Sequence, residues 1–291
     1  MASTRDIRRR IKSVKNTSQI TKAMQMVASS KMRKAQLAAL AGRPYAIQMS
    51  KVLHSATKDL QDFVHPLMEQ RPIKKRCVLV VTTDKGLCGA LNSNLAREAA
   101  KFDKNTTVFV TAGRKGAQFI ARTKRQLLAE FTYKDSPLFS EARAISRTLQ
   151  ELFLKGEVDC VEVLYTRFVN TLTQKQELRQ LLPVGDLKTL LPEPGAEAKS
   201  GAEPQSLEHL FEPTAANVLG ALLPHYLNYA VYQVLLEAKA SEHSARMVAM
   251  KNATDNAKQL IKDLTLEYNK LRQANITKEL LEITTAQMAL G

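Results

Sequence analysis

The sequence predicts an α/β protein. A long antiparallel coiled coil is formed by its N- and C-terminal helices, and an α/β domain with a largely parallel sheet is inserted between them. Three observations lead there. Apolar residues recur at helical spacing at both ends of the chain, strand-like runs alternate with helix-like runs in the middle, and no proline follows Pro224 before Gly291. With 291 residues the chain has room for one large or two modest domains and a real core. A hydrophobic content of 44% with 24% charged residues marks it as globular. Aromatics are only 5% and Trp is absent, which leans towards closely packed helices.

The first part, residues 1–60, reads as helix. Ile7, Ile11, Val14, Ile20, Met24, Val27, Met32 and Ala35 recur at helical spacing. Ser3 or Thr4 is placed to cap the start, and Gly42-Arg43-Pro44 looks like a stop. A helical pattern resumes from Tyr45 to Leu60, and His65–Pro72 reads as a linker.

The middle part, residues 75–210, reads as the α/β domain. The run CVLVVTT, Cys77–Thr83, is short, apolar and β-branched, as a buried strand is. A glycine turn and a helix over Leu91–Phe102 follow. TTVFVTA, Thr106–Ala112, is a second strand; GRKGAQFIAR opens another helix; RQLLAEFTY is a third strand; Phe139–Leu154 is helical. DCVEVLYTRF and QKQELRQLLPV read as two strands of a hairpin. This alternation implies a Rossmann-like domain with a largely parallel sheet. Leu191–Pro204, rich in Pro, Gly, Ala and Glu, reads as a surface loop.

The last part, residues 211–291, is again helical, through Leu227, Val231, Val234, Ala238, Ala245, Val248, Leu260, Leu264, Leu271 and Leu280. Proline is tolerated in a first helical turn, so the start of the long helix, or a kink, is placed at Pro224. About 65 residues at a rise of 1.5 Å make roughly 100 Å of helix, too long for a domain of this size to cover. Ala245, Ala249, Ala253 and Ala257 recur every four residues and face an N-terminal helix that offers Ala23, Ala28, Ala35 and Ala39. The strict leucine seam of a parallel zipper is missing. The two ends are therefore expected to pair antiparallel at close range.

Charge is concentrated in one element. Met1–Lys58 carries thirteen Lys or Arg against the single acid Asp6, so most of the net +15 lies there. Such a field favours an acidic partner: nucleic acid, anionic lipid or an acidic protein surface. Cys77, Cys88 and Cys160 are odd in number and form no CxxC pair, which fits buried free thiols in a reducing compartment. The Arg-rich start resembles a transit peptide, but its pattern continues into the helix and is read as mature protein. Ala215–Leu236, the most apolar window, is interrupted by Pro224, His225, Asn228 and Gln233 and reads as a buried helix rather than a membrane span.

Catalytic chemistry finds little support. TTDKGLCGALNSN, Thr82–Asn94, sits where a strand meets a helix, the place of a phosphate-cradling turn. It lacks the GK[ST] of a P-loop and the third glycine of a dinucleotide fingerprint. His54, His65, His209, His225 and His243 form no i,i+4 pair, and no metal or cofactor is expected. Cys88 lies near a helix N-terminus but has no identifiable base, and Glu279 and Glu282 read as solvated. Nucleic-acid binding by a basic coiled coil is the rival reading. Against it, residues 1–44 contain no aromatic to stack on bases. Arg8, Arg9, Arg10, Lys12 and Lys15 also wrap around the helix, which suits a partner that surrounds it.

Four blocks, NTSQITKAMQMVASSKMRKAQ, TTDKGLCGALNSN, SEHSARMVAMKNATDNA and LRQANITKELLEI, closely resemble those of the γ subunit of F-type ATP synthase, in the same order and across essentially the whole chain. The resemblance implies a non-catalytic central shaft. Its terminal helices stand inside a ring of three α and three β subunits, and its α/β domain rests with ε on the ring of membrane c subunits. Rotation of the shaft would couple proton flow to ATP synthesis and hydrolysis on β, with δ also in the complex. It further implies that Met24, Arg272 and Gln273 contact β, that Ala245, Arg246 and Ala249 support the coil, and that Phe211 and Glu212 form a foot on the c-ring. The implied location is peripheral, on the cytoplasmic face of a bacterial inner membrane, with neither direct membrane insertion nor nucleic acid as a partner. Where the family usually continues with Gly-Gly after EI, this chain reads Thr284-Thr285-Ala286-Gln287, and the cysteine-containing insert of chloroplast members is missing.

Overall fold

The computed structural model describes residues 3–42, 44–45, 48–49, 52, 65–185 and 214–290. By contact the chain divides into two compact units, Met1–Ala28 with Arg246–Gly291, and Ser29–Ala245.

The second unit is built on one five-stranded sheet. Its strands are β1 (Arg76–Val81), β2 (Thr107–Ala112), β3 (Leu127–Phe131), β4 (Cys160–Phe168) and β5 (Gln174–Leu182), in spatial order β3-β2-β1-β4-β5. Pairings β1–β2, β1–β4 and β2–β3 are parallel; β4–β5 is an antiparallel hairpin. Every residue of β2, and all of β1 after Arg76, is buried, as expected of central strands covered on both faces.

Three shorter helices cross over the sheet: α2 (Leu91–Ala100), α3 (Arg114–Arg122) and α4 (Phe139–Leu154). One face of β1 and β2, through Cys77, Leu79, Val108 and Val110, packs with Ile145, Leu149 and Phe153 of α4 and with the apolar Leu219–Ala238 stretch of the C-terminal helix. The other face, through Val78, Val80 and Phe109, packs with Leu91 and Leu95 of α2 and Ile120 of α3. The segment read as a linker carries a short 3-10 turn, Pro66–Met68. Leu67 is buried there and its carbonyl accepts from the Val184 N–H at 2.9 Å, so core burial pins it.

The two terminal helices are α1 (Thr4–Ala41) and α5 (Ala215–Leu290). Ser3 caps α1, its Oγ accepting from the Arg5 N–H at 3.3 Å. At the other end Gly42 forms a turn, and the hydroxyl of Tyr229 donates to its carbonyl at 2.6 Å. A Cβ on Gly42 would sit 2.6 Å from that hydroxyl, which is why glycine serves here. Helix α5 begins at Ala215, nine residues before the start placed at Pro224, and Pro224 lies inside it. An interior proline costs about 3 kcal/mol. Burial of Leu219 and Leu223 in the main core offsets this at roughly 1.5–3 kcal/mol each.

In the first unit the helices run antiparallel. Thr21 and Thr254 share a buried hydroxyl–hydroxyl bond of 2.7 Å, and Arg8 donates to the Tyr268 hydroxyl further along. The less exposed positions keep a four-three spacing: Ile7, Ile11, Val14, Ser18, Thr21, Gln25 and Ala28 on α1, and Met250, Thr254, Ala257, Ile261, Leu264, Tyr268 and Leu271 on α5. That is the heptad seam of a coiled coil, with Ser, Thr and Ala at many of its positions. Ile20 and Val27, placed in the stripe by the sequence reading, are instead 60% and 55% exposed. The seam advances 3.5 residues per turn and admits hydroxyls, so selecting apolar residues alone drifts off it.

A buried carboxyl gives one prediction. Oε2 of Glu237 on α5 lies out of solvent, and burial raises the acid above its ordinary 4.5 despite Arg179 and Arg167 nearby. A raised acid favours folding while protonated, and that contribution is lost as pH rises through its folded value. Glu237→Gln is expected to raise the melting temperature by about 2–4 °C at about pH 8 and hardly at all near pH 4. An equal effect at both values, in thermal melts, would show that the carboxyl does not titrate there.

Candidate functional site

The glycine turn after β1 is the first candidate, because parallel sheets hold ligands at the carboxyl ends of their strands where strand order reverses. Here that point lies between β1 and β4. The turn is closed by its own side chains. Asn92 donates to the Thr83 hydroxyl at 2.7 Å and to Cys88 Sγ at 3.4 Å, and its Oδ1 accepts from the Thr83 N–H at 3.3 Å. Leu87 and Gly89 both take the left-handed backbone region.

The neighbouring anion position, the N-terminus of α3, is also filled. Asp84 Oδ1 accepts from the Arg114 N–H at 3.0 Å, the Thr83 carbonyl from the Lys115 N–H at 3.1 Å, and the Thr82 hydroxyl from the Gly116 N–H at 2.8 Å. The donors that would hold a phosphate are bonded within the chain. Among the described residues no group of three or more His, Cys, Asp or Glu is placed to hold a metal ion. The thiols suit packing: Cys77 is pushed up to about 12 and Cys160 to about 11, mainly by burial.

The second candidate is the outer surface of the coil. Met24 is half-buried beside the seam, next to exposed Met26 and Val27 and exposed Lys22. Arg8, Arg9, Arg10, Lys12 and Lys15 are all exposed. Arg8 also lies over the Tyr268 ring, 5.3 Å from its centroid. The surface is therefore apolar and basic together. Beyond Leu271 every described position up to Met288 is exposed, so α5 continues past its seam with α1. Arg272 and Gln273 open that stretch. The register set by Thr21 and Thr254 puts Met24 some twenty residues of helix from Arg272, roughly 30 Å. The structure does not bring these residues into one site.

Of the residues assigned to coil support, Ala245 is buried with the α2 face of the sheet, while Arg246 and Ala249 are half-buried. Phe211 and Glu212 lie outside the described residues. Glu282 pairs with Lys278 at 3.7 Å on an exposed helix face, as a solvated carboxylate does.

The sequence reading passed over Lys239 of α5. It is 2% exposed and bonds Glu242 at 2.9 Å. A signal was present, since no other Lys or Arg occurs from Ala215 to Ala238.

A family model described as ATP synthase matches residues 3–290. The ATP synthase gamma chain of Opitutus terrae is 52% identical to this chain over 99% of both. The chain belongs to the ATP synthase γ-chain family. The γ chain of Methylacidiphilum infernorum is 48% identical over the full length of both. Among solved structures, a chain of the central stalk and c-ring of the Tetrahymena thermophila mitochondrial ATP synthase is 26% identical. It covers 80% of this γ-family chain and 99% of its own length, with a TM-score of 0.61. A chain of the Euglena gracilis enzyme, from an assembly of OSCP, F1 and c-ring, shares the fold with a TM-score of 0.69 at 21% identity, covering 99% and 94%. Among the described residues no helix is long and apolar enough to cross a membrane. Family membership favours the γ-chain reading over a nucleic-acid binder.

Proposed function

We propose that the chain is the rotating central stalk of an F-type ATP synthase, turned by the c-ring and driving the catalytic sites of the β subunits, with no catalytic site of its own. The observation that carries this reading is the outer face of the antiparallel coil. It is apolar and basic together, a surface suited to acidic, apolar walls that surround it. The filled anion position at α3 fits a subunit that transmits force and binds no nucleotide.

Met24 contacts β from the flank of the coil. Arg272 and Gln273, at the start of the unpaired stretch of α5, hydrogen-bond a β-subunit loop. Ala245, Arg246 and Ala249 support the coil, and Phe211 with Glu212 forms the foot on the c-ring. The coil comprises residues 1–60 and 211–291, with residues 75–210 as the α/β domain. The partners are the α, β, ε and δ subunits and the c-ring, and the location is peripheral, on the cytoplasmic face of a bacterial membrane.

Reconstitution tests the reading. The chain, mixed with α and β from the same source at about 150 mM salt, where exposed charges are largely screened, is expected to form a complex with one copy per three αβ pairs. Its ATP hydrolysis is expected to depend on this chain. Arg272→Glu is expected to lower that activity about tenfold, equivalent to ~1.4 kcal/mol. Failure to assemble, with the chain retaining nucleic acid at that salt, would overturn the proposal. An Arg272→Glu complex with unchanged activity would remove the role given to Arg272.

A further inference from the structure

Helix α5 crosses the sheet with a face that does not define its own position. Buried Ala230, Val234 and Ala238 recur every four residues, as do Val231 with Leu235 and Leu236 with Ala240. A slip of one turn would set similar side chains into the same hollows, and packed helices do move by such steps. The charged residues break this degeneracy. Lys239 lies with its ammonium 2.9 Å from Glu242, 3.8 Å from Asp135 and 4.5 Å from the centroid of the Tyr133 ring. Tyr133 is buried and donates to the Thr82 carbonyl at the end of β1. The other oxygen of Asp135 takes Lys31 of α1 at 2.5 Å. One aspartate in the segment after β3 thus ties both terminal helices, and Lys239 ties α5 to the sheet through Tyr133.

We propose that Lys239, with Glu242 and Asp135, is a positioning lock that fixes the rotational and axial setting of α5 on the α/β domain, so that torque passes between them without slip. The proposal rests on the rotary reading above. A buried ion pair is a poor source of stability, and its best-attested use is to specify register. After a one-turn slip Leu235 or His243 would stand in the place of Lys239, and the lysine would lose its carboxylates. Ser241, whose hydroxyl donates to the Thr166 carbonyl at 2.9 Å, adds a neutral pin on β4.

The test uses the assembled complex with the α and β subunits immobilised and a bead on Lys104→Cys, an exposed residue of the α/β domain. The angular fluctuation of the bead while the coil is held reports torsional stiffness. Lys239→Met with Glu242→Gln removes the buried charges together and leaves Asp135 on Lys31. The pair variant is expected to melt within a few degrees of the parent, while the variance of the bead angle at least doubles. Asp135→Asn, at a half-exposed position and so tolerant of change, is expected to raise the variance less, and it carries the test alone if the pair variant does not assemble. A merely structural role would shift the melt and leave the variance unchanged, and that result overturns the proposal. If the unaltered chain fails to assemble with α and β, the rotary reading fails and takes this one with it; if it assembles and all variances agree, only the lock is lost.

Discussion

Gly113→Ala is expected to prevent folding of the α/β unit. Gly113 follows β2 and precedes α3 with φ at 112° and ψ at 136°, a backbone region that side chains rarely enter. A Cβ there would lie 2.3 Å from the Thr82 carbonyl oxygen and 2.7 Å from its carbon. Those are backbone atoms at the end of β1, held by the Gly113–Phe131 and Thr82–Ala112 bonds, each 2.8 Å. Neither strand can retreat without breaking the ladder. Backbone strain alone is on the order of 1–3 kcal/mol, and the clash takes the total beyond the ~4 kcal/mol that few single changes exceed. Gly86→Ala is the control, since its Cβ meets no heavy atom within 4 Å. Thermal unfolding followed by circular dichroism should show no cooperative transition from the sheet in the first variant and a near-normal one in the second. A Gly113→Ala protein melting within a few degrees of the parent would refute the account.

The second large effect is expected at Ala28. Its side chain is buried on the seam of α1, seven residues after Thr21. Arginine there forces a long cation between closely packed backbones, combining overpacking of about 1–3 kcal/mol with an unpaired charge. Ala28→Arg should lower the helical signal of the coil and reduce ATP hydrolysis of the reconstituted complex at least tenfold. Its neighbour Val27 is 55% exposed, so Val27→Arg should leave coil stability within about 0.5 kcal/mol of the parent. Equal damage from both variants would mean that the seam is misassigned.

The sheet was legible because its inner strands are continuous apolar runs bounded by glycine and polar turns, and helix Phe139–Leu154 was read with the same ends that it has. The coil was legible as a pair of helices but not as a seam, because Ser18, Thr21 and Thr254 carry it and a search for apolar residues passes over them. Helix α5 starts at Ala215 rather than at Pro224, the first of the two alternatives placed there, for a related reason: Pro224 is a local signal, and the burial of Leu219 and Leu223 that overrides it is a tertiary one. Lys239 could not be read at all as a partner of Asp135, since only the fold brings the segment after β3 against α5. The expected contacts at Met24, Arg272 and Gln273 came from family resemblance, and the structure adds that Arg272 and Gln273 are exposed while Met24 is half-buried beside the seam.

Asp84 at the N-terminus of α3 has a consequence for regulation. A tethered carboxylate competes with any free phosphate for the Arg114 N–H at an effective concentration in the millimolar range or above. A nucleotide would have to displace a group that never diffuses away. That position is therefore a poor sensor of the cell's ATP to ADP ratio, because its own carboxylate holds the place a phosphate would take.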